Sequence, residues 1–174
     1  EGLDERRANP LVLQGRALHR LGRSVEAKAR FEAALAIDPR ETSAIVGLAE
    51  LALAAKEPDR AIELLERVPI TAPVAAQRER HFRRAQAFRQ KKELLRARDE
   101  ARLPLDLAPE SRWYRLLLAD VLLDLGQLDE AEKTLAPLDG WGGADRARGR
   151  LAKLGEAAAE RERHLLERRL LGAD

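Results

Sequence analysis

The chain contains no cysteine and no methionine, so disulfides, thiolate metal sites and cysteine nucleophiles are excluded. Aromatic residues make up only 3%, and Ser and Thr occur three times each, which leaves little strand-forming material. Asn occurs once. These scarcities fit a heat-adapted source, and a GC-rich genome accounts equally for the accompanying excess of alanine and arginine. Long apolar runs are missing as well. The most apolar stretch, Leu116 to Leu125, is interrupted by Asp120 and Asp124 and falls short of the roughly 20 residues that a membrane span needs. The opening Glu1-Gly2-Leu3-Asp4-Glu5-Arg6-Arg7 does not resemble a signal peptide, so the expected compartment is the cytoplasm. The absent initiating Met places the start of the numbering at a processing or expression boundary, with room for sequence upstream.

Ala, Leu, Arg and Glu dominate, a mixture suited to helices. It is also periodic. Ala27, Ala61, Ala97 and Ala131 are spaced by 34, 36 and 34 residues, and Pro39, Pro73 and Pro109 by 34 and 36. A second set of small residues, Gly15, Ala49, Ala85 and Ala119, keeps the same intervals. Two helices approach to about 8–10 Å only where side chains are short, so these positions mark helix crossings. Gly22 and Gly126 fall where a first helix must end in a left-handed cap, and the prolines close each second helix. The period therefore predicts stacked helical hairpins over residues 8–41, 42–77, 78–111 and 112–143, within a single repeat domain. The two extra residues are expected in the loop Thr71-Ala72-Pro73-Val74-Ala75.

The first unit, Leu11-x-x-Gln14-Gly15-x-x-Leu18 followed by Gly22, Ala27, Phe31, Ala34 and Pro39, resembles the tetratricopeptide repeat family. So does the fourth, with Leu118-Ala119, Leu122, Gly126, Ala131 and Leu135. The second unit has Lys56 where that family usually has glycine. The third carries Pro104 inside its second helix; a proline in a helix interior costs roughly 3 kcal/mol, so a bend or early stop is expected near Leu103-Pro104. The resemblance implies an all-α, right-handed solenoid that binds proteins and is not an enzyme. A finer likeness, in Leu64-Leu65-Glu66-Arg67-Val68-Pro69, Leu154-Gly155 and Arg168-Arg169-Leu170, is to the C-terminal repeat domain of co-chaperedoxins. It implies a holdase for unfolded clients, although no thioredoxin-like domain is present here.

Residues 76–104 hold ten Lys and Arg against four Asp and Glu, whereas residues 105–143 hold three against eight. One reading is a basic surface for nucleic acid or another polyanion. The other is solvated helix faces paired with the acidic fourth unit, with Arg89 across from Asp120 and Asp124.

By the family register, groove positions fall on Asn9, Val12, Arg16, His19 and Arg20 in the first unit and on Ser43, Val46, Glu50, Leu53 and Ala54 in the second. Glu79, Phe82, Gln86, Arg89 and Gln90 follow in the third, and Trp113, Leu116, Asp120, Leu123 and Asp124 in the fourth. The expected binding set is Arg16, His19, Arg20, Glu50, Phe82, Arg89, Trp113, Asp120 and Asp124. Such a groove is basic at one end, apolar in the middle and acidic at the other, and suits a peptide or helix with opposite charges at its ends. Phe82 and Trp113 are anchor candidates, or else fill the angle between units. Phe31 and Phe88 are expected in the core, and Trp141 over the turn Gly140-Trp141-Gly142-Gly143. The resemblance also argues against the clamp that grips the C-terminal carboxylate of heat-shock chaperones, because Arg16 and Gly47 stand where that clamp uses Lys and Asn.

His19, His81 and His164 have no metal-ligand spacing, no serine has His and Asp nearby, and no phosphate loop occurs; no catalytic residue, metal or cofactor is expected. Ala144 to Leu154 and Glu156 to Leu171 read as a capping helix pair broken at Gly155, with Leu165, Leu166, Leu170 and Leu171 as its buried stripe. A helix that docks onto a partner or a second copy is the alternative. The expected state is a monomer or weak homodimer.

Overall fold

The computed structural model describes the backbone of residues 10–170 and the side chains of residues 10–167. Asn9 and Leu171 lie outside this range, as does the Leu170 side chain. Two compact units divide at Leu107 and Ala108. The first contains α1 (Pro10–Arg20), α2 (Ser24–Ile37), α3 (Thr42–Ala54), α4 (Pro58–Glu66), α5 (Val74–Gln90) and α6 (Leu94–Leu107). The second contains α7 (Arg112–Asp124), α8 (Leu128–Leu135), two short 3-10 turns (Ala136–Leu138 and Gly142–Ala144) and α9 (Asp145–Leu170). There is no strand among the described residues. In the first unit α1 packs on α2 and α3, α3 on α4 and α5, and α5 on α6. This is the order expected of stacked hairpins.

The hairpin turns share one geometry. Gly22, Lys56, Lys92 and Gly126 all adopt positive φ, at 76°, 63°, 63° and 74°. In each turn the next residue's N–H reaches back to a helix carbonyl: Arg23 to Leu18, Glu57 to Ala52, Glu93 to Phe88 and Gln127 to Leu122, at 2.9 to 3.0 Å. Those bonds satisfy carbonyls that the helix end leaves open. A left-handed residue with a Cβ costs about 1–2 kcal/mol, and the extra freedom of glycine in the unfolded chain offsets about half of that. Lys56→Gly and Lys92→Gly should therefore each raise stability by about 0.5–1 kcal/mol, visible as a higher midpoint in thermal unfolding followed by circular dichroism.

Phe31 sets the core of the first two hairpins. It is fully buried, and a Cβ added at Gly15 or Gly47 would come within 2.6 Å or 2.5 Å of its ring. The two glycines thus form the slot for one aromatic side chain. Ala27, Ala34, Ile45, Ala61 and Leu65 are buried in the same cluster. Phe88 is buried too, as expected.

Four local expectations are corrected. Helix α6 runs through Pro104 to Leu107 and is not cut short; the proline stands in the last turn, where few backbone bonds follow it, and its ring is buried. Helix α5 starts at Val74, ahead of the expected unit boundary, because Gln77 Nε2 donates to the carbonyls of Pro69 and Ile70 at 2.6 and 2.8 Å and ties the incoming loop to the helix. Helix α9 is continuous across Gly155, so a single 26-residue helix replaces the capping pair. One internal glycine costs only about 1 kcal/mol against alanine, and Leu151-Ala152-Lys153-Leu154 and Glu156-Ala157-Ala158-Ala159 on either side are strong helix formers. Finally, Leu165 and Leu166 are 56% and 50% exposed, not a buried stripe, because α9 extends past the helices that could cover it.

Candidate binding groove

Helices α1 and α3, the first half of α5 and the α2–α3 loop line a groove of about 1000 Å³ in the first unit. Its floor includes Val12, Val46 and Gly47. The period that builds the hairpins also builds this surface, since first helices of successive units lie side by side and present equivalent turns. Val12, Arg16, His19, Arg20, Ser43, Val46, Glu50 and Glu79 all line it. Leu53, Ala54, Phe82, Gln86, Arg89 and Gln90 are not among its lining residues.

The charges in the groove are unequally engaged. Arg83 bridges Glu50 and Glu79, the second at 2.6 Å, with all three side chains mostly shielded from solvent. Glu41 accepts from the Ser43 N–H at 3.1 Å and caps α3, and Asp38 accepts from the Arg40 N–H at 2.9 Å. Of the groove's acidic groups, Glu50 and Glu79 are thus paired with Arg83, while Asp38 and Glu41 each hold one backbone N–H. The guanidinium groups of Arg16, Arg20 and Arg40 make no ion pair among the described residues. His19 contributes a sheltered Nδ1 that has no hydrogen-bond partner among the described residues.

Much of the positive charge of α5 and α6 is absorbed inside the first unit. Arg84 and His81 both meet Glu100, at 2.9 and 2.7 Å. Lys91 meets Asp59 and Glu93 at 2.6 and 2.9 Å. The hydrogen bond that Lys91 donates to Asp59, followed by the one it donates to Glu93, holds its ammonium above its ordinary range. Burial, and then the neighbouring Arg84, pulls the Arg80 guanidinium down. Phe82 is half-buried, with the Arg83 guanidinium 5.0 Å from its ring centroid. On the side of α4 and α6, a second cavity of about 730 Å³ has Ile62, Phe88 and Leu103 among its walls.

In the second unit, Asp120 and Asp124 receive Arg150 of α9, at 2.8 Å for Asp120. They serve the docking of α9 on α7. Trp113 is 65% exposed and meets Trp141 edge to face, with centroids 5.1 Å apart. Trp141 also lies over Gly143, which is the sealing role expected for it.

The sequence register missed Arg40, Asp38, Glu41 and Arg83. Arg83 was detectable in principle, since it follows Glu79 by one helical turn and so shares its face. The loop residues were not, because a repeat pattern places helix faces and says nothing about the connection that folds over the groove end.

Hairpins of this geometry define a helical-repeat scaffold of the protein-binding kind. The model for the tetratricopeptide repeat matches residues 18–80 and 96–154, and the chain belongs to that family. No curated protein matches it. Among solved structures, a thermophilic TPR protein of Thermus thermophilus is similar at a TM-score of 0.69 and 22% identity, over 86% of this chain and 81% of that one. The first TPR domain of human RPAP3 gives 0.59 and 18%, over 69% and 93%. MamA from Desulfovibrio magneticus RS-1 gives 0.59 and 20%, over 85% and 75%. At these identities the likeness is one of fold. TPR domains bind protein partners and generally act as non-enzymatic scaffolds. No described helix is long and apolar enough to cross a membrane.

Proposed function

We propose that the chain is a protein-interaction module whose first-unit groove binds a peptide or partner helix bearing acidic side chains. The observation that carries this reading is the imbalance of engagement. Glu50 and Glu79 are spent on Arg83, while Arg16, Arg20 and Arg40 have no ion-pair partner among the described residues. A guanidinium favours a carboxylate geometrically as well as electrostatically, and Val12, Val46 and exposed Leu13 offer apolar contact beside it. The acidic end once expected from Asp120 and Asp124 is not needed by this reading.

Peptide display selection tests it. Wild-type protein should enrich sequences with Asp or Glu next to apolar residues, and an Arg16→Ala, Arg20→Ala variant of unchanged thermal stability should lose at least about tenfold in affinity for them. Equal enrichment by both proteins contradicts the groove assignment. Broad binding without sequence preference would instead favour the holdase reading, which draws on the exposed Leu21, Val25, Ile37 and Ile70. A polyanion reading of the third repeat is weakened by the ion pairs that Arg83, Arg84, Lys91 and Arg96 already make.

A further inference from the structure

Helix α9 is 26 residues long, against 13 in α3 and α7. Its first half is seated: Ala147 is buried, Leu151 and Leu154 are half-buried, and Arg150 holds Asp120 and Asp124. Between Glu156 and Glu167 every side chain but Ala157 is exposed, Leu165 and Leu166 included. The exposed half continues a helix that its seated half nucleates, and it presents two leucines that nothing among the described residues covers.

The charges of the arm indicate what covers these leucines. Residues 156–162 contain Glu156, Glu160 and Glu162 against Arg161, and residues 163–169 contain Arg163, Arg168 and Arg169 against Glu167. Two copies laid antiparallel bring each acidic half against a basic half, whereas a parallel pair aligns like charges. An antiparallel pair centred between Arg161 and Glu162 sets Glu160 opposite Arg163 and Arg161 opposite Glu162, and places Leu165 and Leu166 of one copy opposite Ala158 and Ala157 of the other. Large side chains then meet small ones, as close helix packing requires. The arrangement is two-fold symmetric and closes on itself.

We propose that residues 156–170 form a self-association arm that pairs antiparallel with the same segment of a second copy. This is independent of the groove. Sedimentation equilibrium of the full chain tests it, read as a change from 19.4 kDa to twice that mass with rising concentration. Leu165→Glu with Leu166→Glu should weaken the dimer by at least roughly a hundredfold, given the apolar area lost. An arm made wholly basic by Glu156→Lys, Glu160→Lys, Glu162→Lys and Glu167→Lys should not self-associate. Nor should one made wholly acidic by Arg161→Glu, Arg163→Glu, Arg168→Glu and Arg169→Glu, but an equimolar mixture of the two should dimerise again. That rescue also shows that both variants fold. A monomer at all concentrations overturns the proposal, and so does a dimer that none of these changes affects.

Discussion

Phe31→Ala should destabilise the first unit by about 3–5 kcal/mol, enough to unfold its first two hairpins near room temperature. The ring is fully buried, and its slot is shaped by Gly15 and Gly47 on two different helices. Relaxation fills such a slot poorly, because the walls at Gly15 and Gly47 are backbone. The reciprocal change confirms the cause. Gly47→Ala drives a methyl group into the ring and should cost about 1–3 kcal/mol, and part of that cost should disappear when Phe31 is shortened to Leu. Chemical denaturation of the two single variants and the double variant measures the coupling. Additive losses would show that Phe31 and Gly47 do not constrain one another.

The second large effect is expected at Arg150. This guanidinium takes Asp120 and Asp124 together, with 32% exposure of its own side chain and 27% and 17% of theirs. Hydrogen bonds to charged groups are worth about 1.5–3 kcal/mol when partly shielded, so Arg150→Ala should cost about 1–3 kcal/mol and loosen α9 from α7. Limited proteolysis should then cut α9 sooner, between Ala147 and Leu154. If Arg150→Ala leaves stability and cleavage unchanged, α9 is held by Ala147 and its leucines alone.

Spacing carried the fold. The intervals between Ala27, Ala61, Ala97 and Ala131 anticipated the hairpins, and those between Gly22, Lys56, Lys92 and Gly126 repeat in the turn geometry. Lys56, a departure from the glycine usual in the family, holds glycine's backbone conformation. What failed was local punctuation. Pro104 and Gly155 look like breaks in isolation, but a terminal helical turn tolerates the first and strong helix formers on both sides override the second. The groove was legible as a list of positions, eight of which line the cavity. Its electrostatics were not, because net charge by segment does not reveal which carboxylates are already engaged. Glu50, expected among the binding residues, is held by Arg83.

Mapping the footprint of a selected acidic peptide by amide chemical shifts is the most direct test of the groove assignment. Perturbations should concentrate on α1, α3 and the first half of α5, above all at Val12, His19, Ser43, Val46 and Gly47, and should disappear in the Arg16→Ala, Arg20→Ala variant. A footprint centred instead on Ile62, Phe88 and Leu103 beside α4 and α6, or on the exposed half of α9, would contradict it.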